Sequence, residues 1–243
     1  MNEELLNRLA SNKKYGDVHP DAIRRAIEEC EGRYKKPKEL EKAVREKLHG
    51  ITSAFNGLDR AKPTDDLEAL LACHASTKER LPLDRVEALY AQIFAVTGEP
   101  RNILDLACGL NPLYLLRRHP CPVTGVDVSR SCVELLSREP RFTGHWADLL
   151  SPEAVPPERF HIALLFKILP LLERQSAGAA MELMERVDAE YLVISFPTRT
   201  LGGRNVGMER NYSEWMEARV PFNRAIVHRF TDENELFYIL KEN

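Results

Sequence analysis

The sequence predicts an α/β fold: a mostly parallel sheet ending in an antiparallel hairpin, preceded by a helical N-terminal domain. Three features support that reading. Up to residue 98 apolar residues recur at three- and four-residue spacing, the periodicity of amphipathic helices. From residue 100 the pattern becomes short apolar runs alternating with helical stretches, as in the strand–helix–strand units of a parallel sheet. The last two apolar runs are joined only by Thr231-Asp232-Glu233-Asn234, too short for a parallel crossover, so they must pair antiparallel. A chain of 243 residues accommodates one substantial domain and a smaller one, with an expected division into 1–75 and 76–243.

Residues 1–62 read as helices, broken at Ser11–Tyr15 and at Asp17-Val18-His19-Pro20. One helix runs through Cys30, with Asp17 or Asp21 near its first turn; another spans Lys38–Leu48, with Leu40, Val44 and Leu48 four apart. Phe55-Asn56-Gly57 and Lys62-Pro63-Thr64 separate these from helices at Asp65–Cys73 and Leu83–Gly98. The expected strands are Asn102–Leu106, Val123–Val128, Gly144–Trp146, His161–Phe166, Tyr191–Phe196, Arg224–Phe230 and Glu235–Lys241. Helices at Ser131–Arg138 and Gly178–Val187 fall between them.

Hydrophobic residues make up 44% of the chain and charged residues 29%, an ordinary globular balance. No apolar run approaches the roughly 18 residues of a membrane span, and the charged N-terminus lacks the apolar centre of a signal peptide. The five cysteines, at 30, 73, 108, 121 and 132, form no C-x-x-C pair. That argues against structural zinc and a disulfide framework, and fits a reducing, cytoplasmic compartment. The net charge of −3 is uneven. Residues 1–62 hold 14 Lys or Arg against 11 Asp or Glu, and the remainder 20 against 26. A basic front on an acidic body suits an anionic partner, and equally a solvated helix face.

Ile103-Leu104-Asp105-Leu106-Ala107-Cys108-Gly109-Leu110 reads as a strand running into a tight turn, where small Ala107 and Gly109 admit a ligand close to the backbone. Asp105 suits that site or a turn cap. Eighteen residues after Gly109 the next strand ends in Asp127, placed to accept both ribose hydroxyls of an adenosyl group. Asp148 ends the third strand, where it can accept the adenine amine. A dinucleotide is the competing ligand, but its pyrophosphate calls for a glycine-rich turn, and Asn111-Pro112-Leu113 stands there instead.

Further blocks sharpen the picture: His74-Ala75-Ser76-Thr77-Lys78-Glu79-Arg80-Leu81-Pro82, residues 105–113, Phe166–Glu173, and Ser195–Arg204 with Gly207-Met208 and Asn211-Tyr212. With these, from Tyr15-Gly16-Asp17-Val18-His19-Pro20 to the C-terminal strands, the chain resembles the aminoglycoside-resistance 16S rRNA methyltransferases, which methylate N7 of a decoding-site guanine. The resemblance implies a Rossmann-like class I methyltransferase sheet holding S-adenosylmethionine, and an N-terminal domain docking on the 30S subunit. It places Arg80 on the methionine carboxylate, Gly109 along the cofactor beside the Asp105 and Ala107 already read there, Asp127 at the ribose, and Asp148 with Leu149 at the adenine. Lys167, Glu173 and Arg204 fall at the target base.

Guanine N7 is an unprotonated lone pair, so the reaction needs positioning rather than a general base. A base in a paired helix has to be flipped out, at about a few kcal/mol. Lys167 and Arg204 are expected on O6 or on phosphates, because a donor on N7 would block the reaction. Glu173 is expected on the N1 and N2 donors, or as a helix-start acid. The glycine- and arginine-rich stretch from Thr198 to Tyr212 reads as an RNA-contacting loop, with Arg199 and Met208 as candidates. Arg8, Lys13, Lys14, Arg24, Arg25, Lys35 and Lys36 would add phosphate contacts. Nothing in the sequence demands more than a monomer. The competing functions are a small-molecule methyltransferase on the same fold and a non-catalytic ribosome-binding protein.

Overall fold

The computed structural model describes residues 2–52, 64–198 and 207–243. Helices α1 (Glu3–Ala10), α2 (Pro20–Glu31) and α3 (Pro37–Thr52) enclose a core of their own, in which Leu9, Ile23, Ile27, Val44 and Leu48 are fully buried. Pro20 opens α2, where a missing N–H leaves no bond unmade. The cap is His19, whose Nδ1 accepts from the Asp21 N–H at 3.3 Å; Asp21 lies in the first turn as expected, and Asp17 is used elsewhere. The expected Phe55-Asn56-Gly57 break lies outside the described residues.

Helices α4 (Leu67–Leu71), α5 (Ala75–Lys78) and α6 (Leu83–Thr97) lead into the sheet. Leu70, Leu71, Leu89 and Ile93 pack in one apolar cluster with Ile103 and Val123 of the first two strands. The remaining elements are β1 (Ile103–Leu106), α7 (Pro112–Arg118), β2 (Val123–Asp127), α8 (Arg130–Leu136), β3 (Phe142–Trp146), β4 (Phe160–Phe166), α9 (Leu169–Gln175), α10 (Ala179–Arg186), β5 (Ala189–Pro197), α11 (Met208–Glu217), β6 (Arg224–Asp232) and β7 (Glu235–Glu242).

The seven strands lie in the order β3-β2-β1-β4-β5-β7-β6, parallel from β3 through β5, with β7 antiparallel to both β5 and β6. Both faces of the sheet are covered, so its central strands are apolar almost throughout. Leu104, Leu106, Ala163 and Leu165 point into one cluster, and Ile103, Ile162 and Leu164 into the other, as the two-residue strand period requires. Between β1 and β4 the strand order reverses, and the crevice beyond the carboxyl ends there is where such sheets bind ligands.

Two helices depart from the sequence reading. Helix α9 starts at Leu169, and α11 takes in Met208–Tyr212, which the composition suggested as loop. Helix α11 is mostly polar and buries only Ser213 and Met216, so its apolar periodicity is faint. Tyr212 stacks on core residue Phe196, with ring centres 5.0 Å apart.

The helical domain is fastened to the sheet by polar contacts at the end of β2. Val18 bridges Ser129 antiparallel, and His19 N–H donates to the Val128 carbonyl at 2.9 Å. Asp17 accepts from the Ser129 hydroxyl at 2.5 Å and from both the N–H and hydroxyl of Ser131, at 2.7 and 2.9 Å. It thus serves the orphan donors at the start of α8 from another domain. Replacing Asp17 with Ala should destabilise the protein by about 1–3 kcal/mol, the cost of stranding half-buried donors, read as a lowered urea midpoint.

Candidate active site

The site is assembled where β1, β2, β3 and β4 end. Past β1 the chain turns through Ala107 and Gly109 in left-handed conformations, φ 57° and 51°. A Cβ at Gly109 would stand 2.6 Å from the His74 ring, so no larger residue fits without moving it. The buried His74 ring is neutral: burial, helped by nearby Arg80, lowers its pKa to about 4. Lys167, at the end of β4, is also left-handed at φ 58°. Such strain in non-glycine residues, of order 1–3 kcal/mol each, gathers at functional sites; here it marks two adjacent strand ends.

Each strand-end acid is held differently. Asp105 lies beneath the turn, where it accepts from the Asn111 side-chain amide at 2.7 Å, and the Asn111 oxygen accepts from the Tyr90 hydroxyl at 2.8 Å. Burial outweighs that bond and raises the Asp105 pKa to about 8. Asp127 accepts from the N–H of Gly109 at 2.7 Å and of Ser129 at 2.8 Å, one on each oxygen, and burial still lifts it to about 6. Asp148 accepts from the Leu150 N–H at 3.2 Å and from the Arg25 guanidinium, with buried Leu149 beside it.

On the β4 side stands a buried ion cluster. Arg80 and Glu235, both 3% exposed, form a two-bonded pair at 2.6 and 3.1 Å. Glu235 also accepts from the Ser195 hydroxyl at 2.5 Å and lies 3.3 Å from the Lys167 ammonium, which bonds Glu79 at 2.6 Å. Arg80 sits 4.5 Å from the centre of the Phe166 ring. Burial alone would raise Glu235, but Arg80 and then Lys167 overcome it and hold the carboxyl at about 2. Sequence reasoning found Arg80 and Lys167 and missed Glu235, which lies 155 positions from Arg80 and shows only as the first residue of a strand.

Other expected residues fall elsewhere. Glu173, on α9, accepts from the N–H groups of Gly178 and Ala180 at 3.1 and 3.4 Å, capping α10. Arg199 and Arg204 lie outside the described residues. Met208 is half-buried at the head of α11. Of the N-terminal cations, Lys13, Lys14, Lys35 and Lys36 are exposed; Lys36 pairs with Glu39, Arg8 with Glu41, and Arg24 with Asp21. Arg25 is turned inward onto Asp148 and Gln175. Lys14 joins Lys38, Lys42, Arg45 and His49 along a groove that also contains Tyr15, Glu41 and Glu46.

A crevice at the order reversal of a parallel sheet, beyond strand ends that carry Gly109, Asp127 and Asp148, is the ligand-binding place of a Rossmann-like fold. The profile of the family described as "Ribosomal RNA methyltransferase (FmrO)" matches residues 11–239, and the chain belongs to that family. It is 41% identical to a 16S rRNA (guanine(1405)-N(7))-methyltransferase of Serratia marcescens, over 100% of this chain and 99% of that one. Among solved structures, 16S rRNA methyltransferase RmtF in complex with S-adenosyl-L-homocysteine superposes with a TM-score of 0.89 at 37% identity, covering 99% of this chain and 98% of the other. The 16S rRNA methylase RmtB gives 0.83 at 36%, again covering 99% and 98%.

Two measurements check these electrostatics. Asp105 has a folded pKa raised above its unfolded value near 3.8, so its contribution is present at low pH and lost as pH rises towards 8. Asp105→Asn should therefore flatten the fall in stability between pH 6 and 8, leaving the fall below pH 6 that Asp127 causes. Glu235 is the opposite case: its contribution is complete above about pH 4.5 and is lost as pH falls towards 2. Glu235→Ala, which leaves Arg80 buried without its anion, should cost about 3–5 kcal/mol in denaturant unfolding at pH 7.

Proposed function

We propose that this chain methylates N7 of the decoding-site guanine of 16S rRNA in the assembled 30S subunit, with S-adenosylmethionine as donor, and so confers aminoglycoside resistance. The observation that carries the reading is the set of buried acids at the ends of β2 and β3 beside the Gly109 turn, in a chain 41% identical to a relative bearing that activity's name. The residues present fit the donor. Each Asp127 oxygen accepts one backbone N–H and keeps a lone pair for a ribose hydroxyl. Asp148 is similarly open to an adenine amine. Arg80 commits Nε and one Nη to Glu235, leaving its other Nη for the methionine carboxylate.

S-adenosylmethionine, when bound, supplies an electrophilic methyl group. The protein's part is to hold the base lone pair in line with it while water is kept out. Lys167, just past β4 with its ammonium on Glu79 and Glu235, would serve the guanine O6 or a flanking phosphate, leaving N7 free, while Arg204, the other expected donor, lies outside the described residues. Glu173 could reach the base only by giving up the Gly178 and Ala180 N–H groups, so its capping role is the better supported. Exposed Lys13, Lys35 and Lys36 and the Lys14–His49 groove suit phosphate contacts of a docking domain spanning residues 1–75, which salt should weaken. One copy of the chain holds every group named.

The test is methyl transfer from labelled S-adenosylmethionine to purified 30S subunits, with naked 16S rRNA as control and strand cleavage at N7-methylguanine to locate the product. One decoding-site guanine, modified on 30S only, is the expected result. Label at another nucleotide would keep the class and overturn the target. No transfer despite cofactor binding would favour a small-molecule substrate or a non-catalytic role.

A further inference from the structure

Asp148 is not held by its own domain alone. The Arg25 guanidinium reaches it from α2, 123 positions earlier, and donates with its other nitrogen to Gln175 on α9 at 2.9 Å. Glu29, one turn along α2, stands 3.8 Å from the same guanidinium. The pair is withdrawn from water, with the Arg25 side chain 23% and the Asp148 side chain 6% exposed. The second attachment of the helical domain, Asp17 on Ser129 and Ser131, closes on the loop that gives Asp127 its Ser129 N–H. The domain therefore touches the crevice at two points, each beside an acid that holds the adenosyl moiety on the reading above.

We propose that Arg25 is a positioning residue that couples cofactor occupancy to the seating of the helical domain, so that loaded protein binds the 30S subunit more tightly than empty protein. This rests on the function proposed above. A carboxylate fixed by Arg25 on one oxygen and the Leu150 N–H on the other presents its remaining lone pairs in one direction, towards an amine. An adenine amine donating there fixes Asp148, hence Arg25 and the α2 surface around it. Seating of α2 on RNA fixes the same chain of contacts from the other end. Binding linkage is reciprocal, so each ligand strengthens the other by the same factor, commonly about 5–150-fold for coupled sites. Arg25 is thereby removed from the phosphate-contacting set, because its donors face Asp148 and Gln175 rather than solvent.

The experiment measures 30S affinity of the full chain with and without saturating S-adenosylhomocysteine, for the wild type, Arg25→Gln and Arg25→Lys. The expected wild-type ratio is about fivefold or more. Arg25→Gln should bring that ratio to one with little change in ligand-free affinity, and Arg25→Lys should keep most of it. A wild-type ratio of one, in protein that methylates 30S, overturns this inference and leaves the function standing. So does equal weakening of Arg25→Gln with and without ligand, with a salt slope reduced by about one, which would make Arg25 a phosphate contact. Wild-type protein that neither binds nor methylates 30S removes the functional reading and this inference with it.

Discussion

Asp105, Asp127 and Glu235 are among the carboxyls withdrawn from water around one crevice, and the fold must meet the cost of burying them. It does so in three ways. Asp105 gains only an amide donor and is pushed up to about 8, so near neutral pH it is mostly protonated and acts as a neutral prop under the turn. Asp127 gains two backbone N–H groups and stays nearer the ordinary range, at about 6. Glu235 gains Arg80, Lys167 and Ser195 and remains a full anion at about 2. Only the last can hold a cation rigidly, and the cation it holds is the buried Arg80 guanidinium, bonded at 2.6 and 3.1 Å.

This division of labour follows from the sheet. Parallel strands end together on one side, so groups just past β1, β2 and β4 converge without being neighbours in sequence. The antiparallel β7 brings Glu235 to the same edge from the other direction, pairing with Pro197 at the end of β5. The helical domain then closes on the β2 and β3 ends through Asp17 and Arg25, largely by polar contacts. Apolar contact there is narrower among the described residues, with Val128 packed against the helical core and the His19 ring edge-on to Trp146 at 4.9 Å.

Much of the architecture was legible in the chain. The buried strands read as apolar runs because both faces of the sheet are covered, and all seven were placed within two residues at each end. Strand β3 was the least visible: Thr143-Gly144-His145 is exposed at the sheet edge, so Phe142 stands alone rather than in an apolar run. Helices α9 and α11 were missed for a related reason, one being two turns long and the other mostly polar. In the site, Gly109, Asp127 and Asp148 could be found from their places at strand ends. Glu235 and the inward turn of Arg25 could not, because their partners lie 155 and 123 positions away and only the fold brings them together. Glu173 was read as a base contact or a helix-start acid, and it accepts N–H groups at the start of α10, which begins at Ala179.

If Asp127, Asp148 and Arg80 form one adenosyl-amino-acid site, a crystal structure of the protein with S-adenosylhomocysteine will show ribose hydroxyls on Asp127, the adenine amine on Asp148, and the ligand carboxylate on the Arg80 Nη not bonded to Glu235, with the Arg80–Glu235 pair intact. A ligand seated away from Asp127, or an Arg80 released from Glu235 to reach it, would rule that site out.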